Sequence, residues 1–304
     1  MPRVVVLGAS LMDMNMRLDR LPAPGETRLG SEFFLLPGGK GANQAVAARR
    51  AGADVLLLTA FGEDHLGVRI RDNLFAEKVD LDHALVVPGA STGVALILVD
   101  GQGENLIGVA MGANATLTPD FIDALPPAVF EGPGAFLASL EVPLETVARA
   151  VARARAGGLT VVVNPAPAAP ELFTPEFLKQ IDVLTPNESE CEALVGSKEP
   201  KSLNMLHGLP DVVVTLGAEG CVVFARDGPF TKLEAFPVEV VDTVGAGDAF
   251  SAVLAVGLAE GLSLVEAAYR ANAGAAIAVT GKGAQGALPT AAQIHEMVLR
   301  RPRP

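Results

Sequence analysis

The chain has 304 residues, 50% of them hydrophobic and 19% charged, enough for a sizeable core in one large α/β domain or two small ones. A net charge of −12 and the lack of any Lys/Arg run exclude the electrostatic footprint of a nucleic-acid binder. No stretch reaches the ~18 apolar residues of a membrane helix, and the opening residues run straight into an apolar strand without signal-peptide architecture, so a cytoplasmic protein is expected.

In chain order, a strand over 3–7 precedes extended chain over 17–36, where Pro22, Pro24 and Gly25 oppose a helix, and then a helix over 43–51. A strand over 54–59 and a helix over 67–78 come next. Two strands over 92–99 and 105–111 then flank Asp100-Gly101-Gln102-Gly103, a hairpin signal. Strands over 135–140, 160–163, 182–184 and 211–216 alternate with helices over 144–156 and 188–195, and helices over 249–260, 264–279 and 291–299 close the chain. Several strands are apolar on both faces, as in a parallel sheet covered by helices on each side. The pattern predicts a doubly wound, mostly parallel α/β sheet in a single domain over 1–304, with lid segments at about 12–37 and 92–111 inserted in it. The hairpin sets Val94, Leu96 and Leu98 against Ala95, Ile97 and Val99, so neither face suits water and a partner surface is expected. Cys191 and Cys221 lack metal or redox spacing and read as core thiols.

Ligands of open parallel sheets bind beyond the carboxyl ends of the strands. The unusual polar and glycine-rich strings fall there: Gly8 to Asp13, Glu141, Asn164-Pro165, Thr185-Pro186-Asn187 and Thr215-Leu216-Gly217. Their convergence on one edge implies a site. The most informative string is Val241-Asp242-Thr243-Val244-Gly245-Ala246-Gly247-Asp248-Ala249-Phe250. Gly245 and Gly247 let backbone N–H groups approach an anion, and a helix starting at Asp248 aims its positive end at the same place. Phosphoryl transfer needs such donors, plus a base that orients the nucleophile, and Asp248 supplies the carboxylate. A lone Gly-x-Gly-Asp would read as a helix cap; the length of this string and its companions favour catalysis. Dinucleotide binding would require Gly-x-Gly-x-x-Gly after the first strand, where Gly8-Ala9-Ser10-Leu11-Met12-Asp13 stands instead, and no Walker-type string occurs. Lys40 and Asn43, in Pro37-Gly38-Gly39-Lys40-Gly41-Ala42-Asn43-Gln44, suit sugar hydroxyls, as does Glu141. Asn187-Glu188-Ser189-Glu190 resembles a capping box and also suits phosphates at Asn187 and a water shell of Mg²⁺ at Glu190. None of the four histidines, His207 included, lies in these strings.

Together these strings resemble the ribokinase branch of the phosphofructokinase-B superfamily of carbohydrate kinases, over nearly the whole chain. The resemblance rests on Gly38 to Gln44, Ser91 to Leu96, Asn164 to Ala168, Thr185 to Glu188, Asp242 to Asp248, Ala276 to Thr280 and Lys282 to Gln285. It implies a sheet flanked by helices, a β lid through which members often dimerise, and ATP-dependent phosphorylation of a sugar hydroxyl, D-ribose first. It places Asp13, Gly39, Lys40, Gly41, Asn43 and Glu141 at the sugar. It places Asn187, Thr215, Leu216, Gly217, Ala218, Glu219, Gly220, Gly247, Asp248 and Asn272 at ATP. Asp248 would be the base, with the amides of Gly245, Ala246, Gly247 and Asp248 as anion hole. Asp242, Val244, Ala278, Gly281 and Gly283 match positions that hold an activating monovalent cation such as K⁺. Leu11 stands where these kinases commonly carry an asparagine that touches the sugar, and Ala287 where a serine is common. The stretch between Val195 and Asp211 is short for the family. Other sugars or nucleosides as substrate, and a non-catalytic sugar-binding regulator, are the competing readings.

Overall fold

The computed structural model describes residues 1–199, 210–226 and 230–301. The short stretch after Val195, with His207 in it, lies largely outside these residues. The first part of the chain forms β1 (Arg3–Leu7), β2 (Leu11–Arg17), β3 (Glu32–Gly38), α1 (Lys40–Arg50), β4 (Asp54–Leu58), β5 (Ala60–Gly62), α2 (His65–Ala76), β6 (Leu85–Val87), β7 (Gly93–Val99) and β8 (Asn105–Ala110). The middle forms α3 (Pro119–Ala124), β9 (Ala135–Ser139), α4 (Leu144–Ala156), β10 (Thr160–Asn164), α5 (Pro175–Leu178), β11 (Val183–Leu184), α6 (Glu188–Val195) and β12 (Asp211–Thr215). The remainder forms β13 (Cys221–Phe224), β14 (Phe230–Leu233), α7 (Ala246–Ala259), α8 (Leu264–Ala278) and α9 (Ala291–Leu299).

The main sheet runs β14-β13-β12-β11-β10-β9-β1-β4. Neighbours from β12 to β4 pair in parallel, while β13 and β14 add an antiparallel edge. Side chains of β1 alternate between two cores, which is why the strand reads as continuously apolar. Val4 and Val6 pack with α1, α7 and α8, whereas Val5 and Leu7 pack with α4. Because β4 and β9 flank β1 on opposite sides, the strand order reverses beside β1, and a crevice opens at the carboxyl edge there.

The two predicted lid segments meet in one four-stranded sheet, β3-β2-β7-β8. Phe33, Leu96, Leu106, Ile107 and Val109 on it are each more than half exposed. β2 is a strand that the sequence reading folded into a strand-end string, although Met12, Met14 and Met16 alternate with Asp13, Asn15 and Arg17 along it. Helices α1 and α7 start at Lys40 and Ala246, ahead of the positions predicted from sequence, Asn43 for α1 and Asp248 for α7. The cause is Gly39 (φ 87°) and Gly245 (φ 82°), whose left-handed backbone turns the chain straight into each helix. Among the described residues no helix is long and apolar enough to cross a membrane. Cys191 and Cys221 are buried, which pushes each thiol up to about 12.

Candidate active site

Missing side chains seat α1 on the sheet edge. A Cβ on Gly41 would lie 2.3 Å from the Gly8 carbonyl carbon, and one on Gly39 2.6 Å from the Ala9 oxygen. The backbone N–H of Lys40, the first residue of α1, donates to Glu141 Oε2 at 2.8 Å, bridging the crevice to the loop after β9. Asp13 on β2 lies beside Gly38, where a Cβ would come within 2.2 Å of its Oδ2. Lys40 thus shares a cluster with Asp13, Glu141 and Asp248. Burial, reinforced by the Glu141 and Asp248 charges and opposed by Lys40, pushes Asp13 up to about 7. Burial also raises Glu141 against the pull of Lys40, and the Asp248 carboxylate holds Lys40 above the ordinary ammonium range.

Asp248 is the third residue of α7, and Gly245 is the cap, so the carboxylate is not spent on its own helix. It reaches α1 instead: Asn43 Nδ2 donates to Oδ2 at 3.0 Å and Gln44 Nε2 to Oδ1 at 3.1 Å. The N–H groups of Gly247 and Asp248 belong to the first turn, where helix geometry supplies no acceptor, and the dipole adds positive potential. The Ala246 N–H bonds Thr243 O at 3.3 Å. A Cβ on Gly247 would meet nothing within 4 Å, so open space lies directly over this turn.

That space is a cavity of about 210 Å³ whose lining includes Lys40, Asn187, Glu190, Gly245, Gly247 and Asp248. Asn187 caps α6 in a capping box: its Oδ1 accepts from Glu190 N, and Glu190 Oε2 accepts from Asn187 N, each at 2.8 Å. Both residues also line the cavity, so capping does not remove them from its wall. Burial raises the Glu190 carboxyl, while the Asn187 N–H and Lys40 act to lower it. Thr215, Thr243 and Gly247 are shared with a second, larger cleft of about 430 Å³. Gly217, Ala218, Gly220, Phe236, Val240 and Asn272 also line that cleft. Two residues expected at the nucleotide turn elsewhere: Leu216 packs on the core and Glu219 pairs with Lys232 at 2.7 Å. Asn272 lines the cleft yet donates to the carbonyl oxygens of Leu233 and Glu234.

The turn before α7 is braced by the loop after α8. Asp242 accepts from Val244 N at 3.0 Å and from Gly283 N at 2.9 Å. A Cβ on Gly245 would lie 2.5 Å from Ala284 O, and one on Gly281 2.6 Å from the Ala287 Cβ. Among the described residues no three His, Cys, Asp or Glu side chains converge as a direct metal-ligand set.

The sequence model of the pfkB family carbohydrate kinases matches residues 1–291. The chain belongs to this family. It is 37% identical to the ribokinase of Bacillus subtilis over 98% of its own length and 100% of that protein's. It is 35% identical to the deoxyribokinase of Salmonella typhi, covering 96% of this chain and 97% of the relative. The solved structure of Arabidopsis thaliana ribokinase complexed with ribose and ATP superposes with a TM-score of 0.88 at 29% identity, covering 98% of each chain. The doubly wound sheet read from the sequence is therefore the family's fold, and the chain is a carbohydrate kinase.

In this pfkB-family site, several polar residues take part to which the sequence assigns no role of their own. Gln44 Nε2 also donates to Asn164 Oδ1 at 3.2 Å, and Asn164 Nδ2 donates to Thr185 O at 3.0 Å. The Thr185 and Ser251 hydroxyls bond at 2.9 Å, and Gln285 Nε2 donates to Asn43 Oδ1 at 3.0 Å. Most of these lie within the strings already singled out; Ser251 gives no signal beyond its place one turn after Asp248. Leu11 is only 2% exposed, and its Cδ2 would lie 2.5 Å from a Cβ on Gly93, so it brings no polar atom to the site.

Proposed function

We propose that the protein transfers the γ-phosphoryl group of ATP to the 5-hydroxyl of D-ribose. The observation that carries this reading is the place of Asp248: a buried carboxylate at the first turn of α7, lining the cavity that joins Lys40 to the larger cleft. Asp13, Lys40, Asn43 and Glu141, with the backbone of Gly39 and Gly41, hold the sugar. ATP fills the larger cleft, its phosphates directed toward Asn187 and Gly247. Asp248 takes the proton of the hydroxyl as that oxygen bonds to the γ-phosphorus. The bond from phosphorus to the bridging oxygen breaks, ADP leaves, and the amides of Gly245, Gly247 and Asp248 stabilise the charge; that of Ala246, expected in the anion hole, is already donated to Thr243 O.

The oxygen donors beside the phosphate position fit Mg²⁺ held through water by Glu190, which would neutralise charge on the phosphates. The turn braced by Asp242 fits K⁺ bound by oxygens of Asp242, Val244, Ala278, Gly281 and Gly283, an all-oxygen set suited to a hard monovalent ion. The exposed apolar side chains of the lid sheet support a homodimer formed through it. ATP and free sugar as substrates favour the cytoplasm. A second reading, 2-deoxyribose as the preferred sugar, is favoured by the apolar Leu11 and by the similarity to a deoxyribokinase. ADP release with ribose, 2-deoxyribose, fructose and adenosine tests both. The highest kcat/KM is expected for ribose; a tenfold advantage of fructose or adenosine would overturn the assignment. No ADP release with any of the four would point to a different sugar as substrate.

A further inference from the structure

Consecutive residues of α1 each hold one oxygen of Asp248, but they differ in what else they can do. Asn43 has its second polar atom on Gln285, at the rim of the site. Gln44 is fully buried, which leaves it no surface for sugar or nucleotide. Its amide nitrogen carries two hydrogens, and two acceptors await them: Asp248 Oδ1 at 3.1 Å and Asn164 Oδ1 at 3.2 Å. Its Oε1 is buried with no hydrogen-bond partner among the described residues. A buried unpaired carbonyl destabilises the fold, so packing alone does not account for an amide here. Rotating the amide would set Oε1 against two oxygens, so a single orientation is allowed. Asn164 is itself tied to Thr185 O, and the Thr185 hydroxyl is tied to Ser251 on α7. The donor that reaches Asp248 is therefore fixed from the sheet edge and from the helix that carries Asp248.

We propose that Gln44 is a positioning residue for phosphoryl transfer: by donating to Oδ1 it fixes the rotamer of Asp248, so that Oδ2 is presented to the sugar hydroxyl. The inference rests on Asp248 being the base. Without Gln44 the carboxylate keeps its contact with Asn43 but gains a rotational freedom that the reaction must remove. Misplacement of a reacting group on the scale of an ångström costs up to about 100-fold in rate.

The test compares Gln44→Met and Gln44→Glu with wild type and Asp248→Asn, measuring kcat, both KM values and the pH dependence of kcat. Gln44→Met keeps the volume and loses the donor; kcat should fall about 10–100-fold with both KM values within about threefold. Gln44→Glu puts a second carboxyl against Asp248, and two carboxyls in contact cannot both ionise readily. The acid limb of its kcat profile should move upward by about one pH unit or more. Wild-type kcat in Gln44→Met would overturn the proposal. So would a loss of kcat in both variants with the acid limb unmoved, which marks a packing role. Near-normal turnover in Asp248→Asn would instead sink the base assignment itself, a result separable from either outcome at Gln44.

Discussion

Asp13→Asn should gain an increasing stability advantage over wild type as the pH rises, while damaging activity. The Asp13 carboxyl is raised from 3.8 to about 7, chiefly by burial, with Glu141 and Asp248 adding to the shift and Lys40 opposing it. A raised carboxyl pKa means that the folded state binds a proton more readily than the unfolded chain between these two values. Its stabilising effect is thus complete at low pH and is lost as the pH rises through about 7. The loss accrues at about 1.4 kcal/mol per pH unit and levels off near 4 kcal/mol. Asparagine, always neutral, carries no such term. Between pH 5 and pH 8 the advantage of the variant over wild type should widen by about 3 kcal/mol. For a chain of this size that is about 6 °C in Tm. Thermal unfolding of both ligand-free proteins at the two pH values measures it, and kcat/KM for ribose should fall in the variant. An equal Tm difference at pH 5 and pH 8 would instead place Asp13 in the ordinary carboxylate range.

Other outcomes follow from the same structure. Replacing Na⁺ or Tris by K⁺ should raise kcat, with Ala287 demanding more K⁺ than a serine would; activity indifferent to K⁺ would remove the cation from the account. The protein should sediment as a dimer at micromolar concentration and Leu106→Glu should shift it toward monomer, whereas a fully active wild-type monomer would contradict the lid interface. Leu11→Asn should widen the preference for ribose over 2-deoxyribose by at most about tenfold, the worth of one hydrogen bond. An unchanged ratio of kcat/KM would mean that Leu11 faces no sugar hydroxyl.

Much of this was legible in the sequence where one physical constraint dominates. β1, α4, α6 and α9 have the bounds that their apolar patterns predict, because strands buried on both faces are continuously β-branched and amphipathic helices keep one period. The strand-end strings do gather at one edge: Lys40, Asn187, Glu190 and Asp248 line one cavity, and Asp13 and Glu141 join Lys40 and Asp248 in one charge cluster. β2 stayed hidden because it starts four residues after Leu7, so its alternation merges with the preceding turn. The start of α7 was misplaced because sequence shows a glycine but not its φ. The role of Gln44 was hidden for a different reason. Asn43 and Gln44 carry the same chemical group on neighbouring positions, and only packing decides which amide is enclosed behind the carboxylate.

The central claim, a carbohydrate kinase in which Asp248 activates the hydroxyl, is tested most directly by single-turnover phosphorylation of ribose in Asp248→Asn, with nucleotide affinity measured alongside. The rate should fall by about 10²–10⁴ with ATP binding largely intact, as expected when a general base is removed from an otherwise complete site. A folded Asp248→Asn protein that phosphorylates ribose within tenfold of the wild-type rate would contradict it.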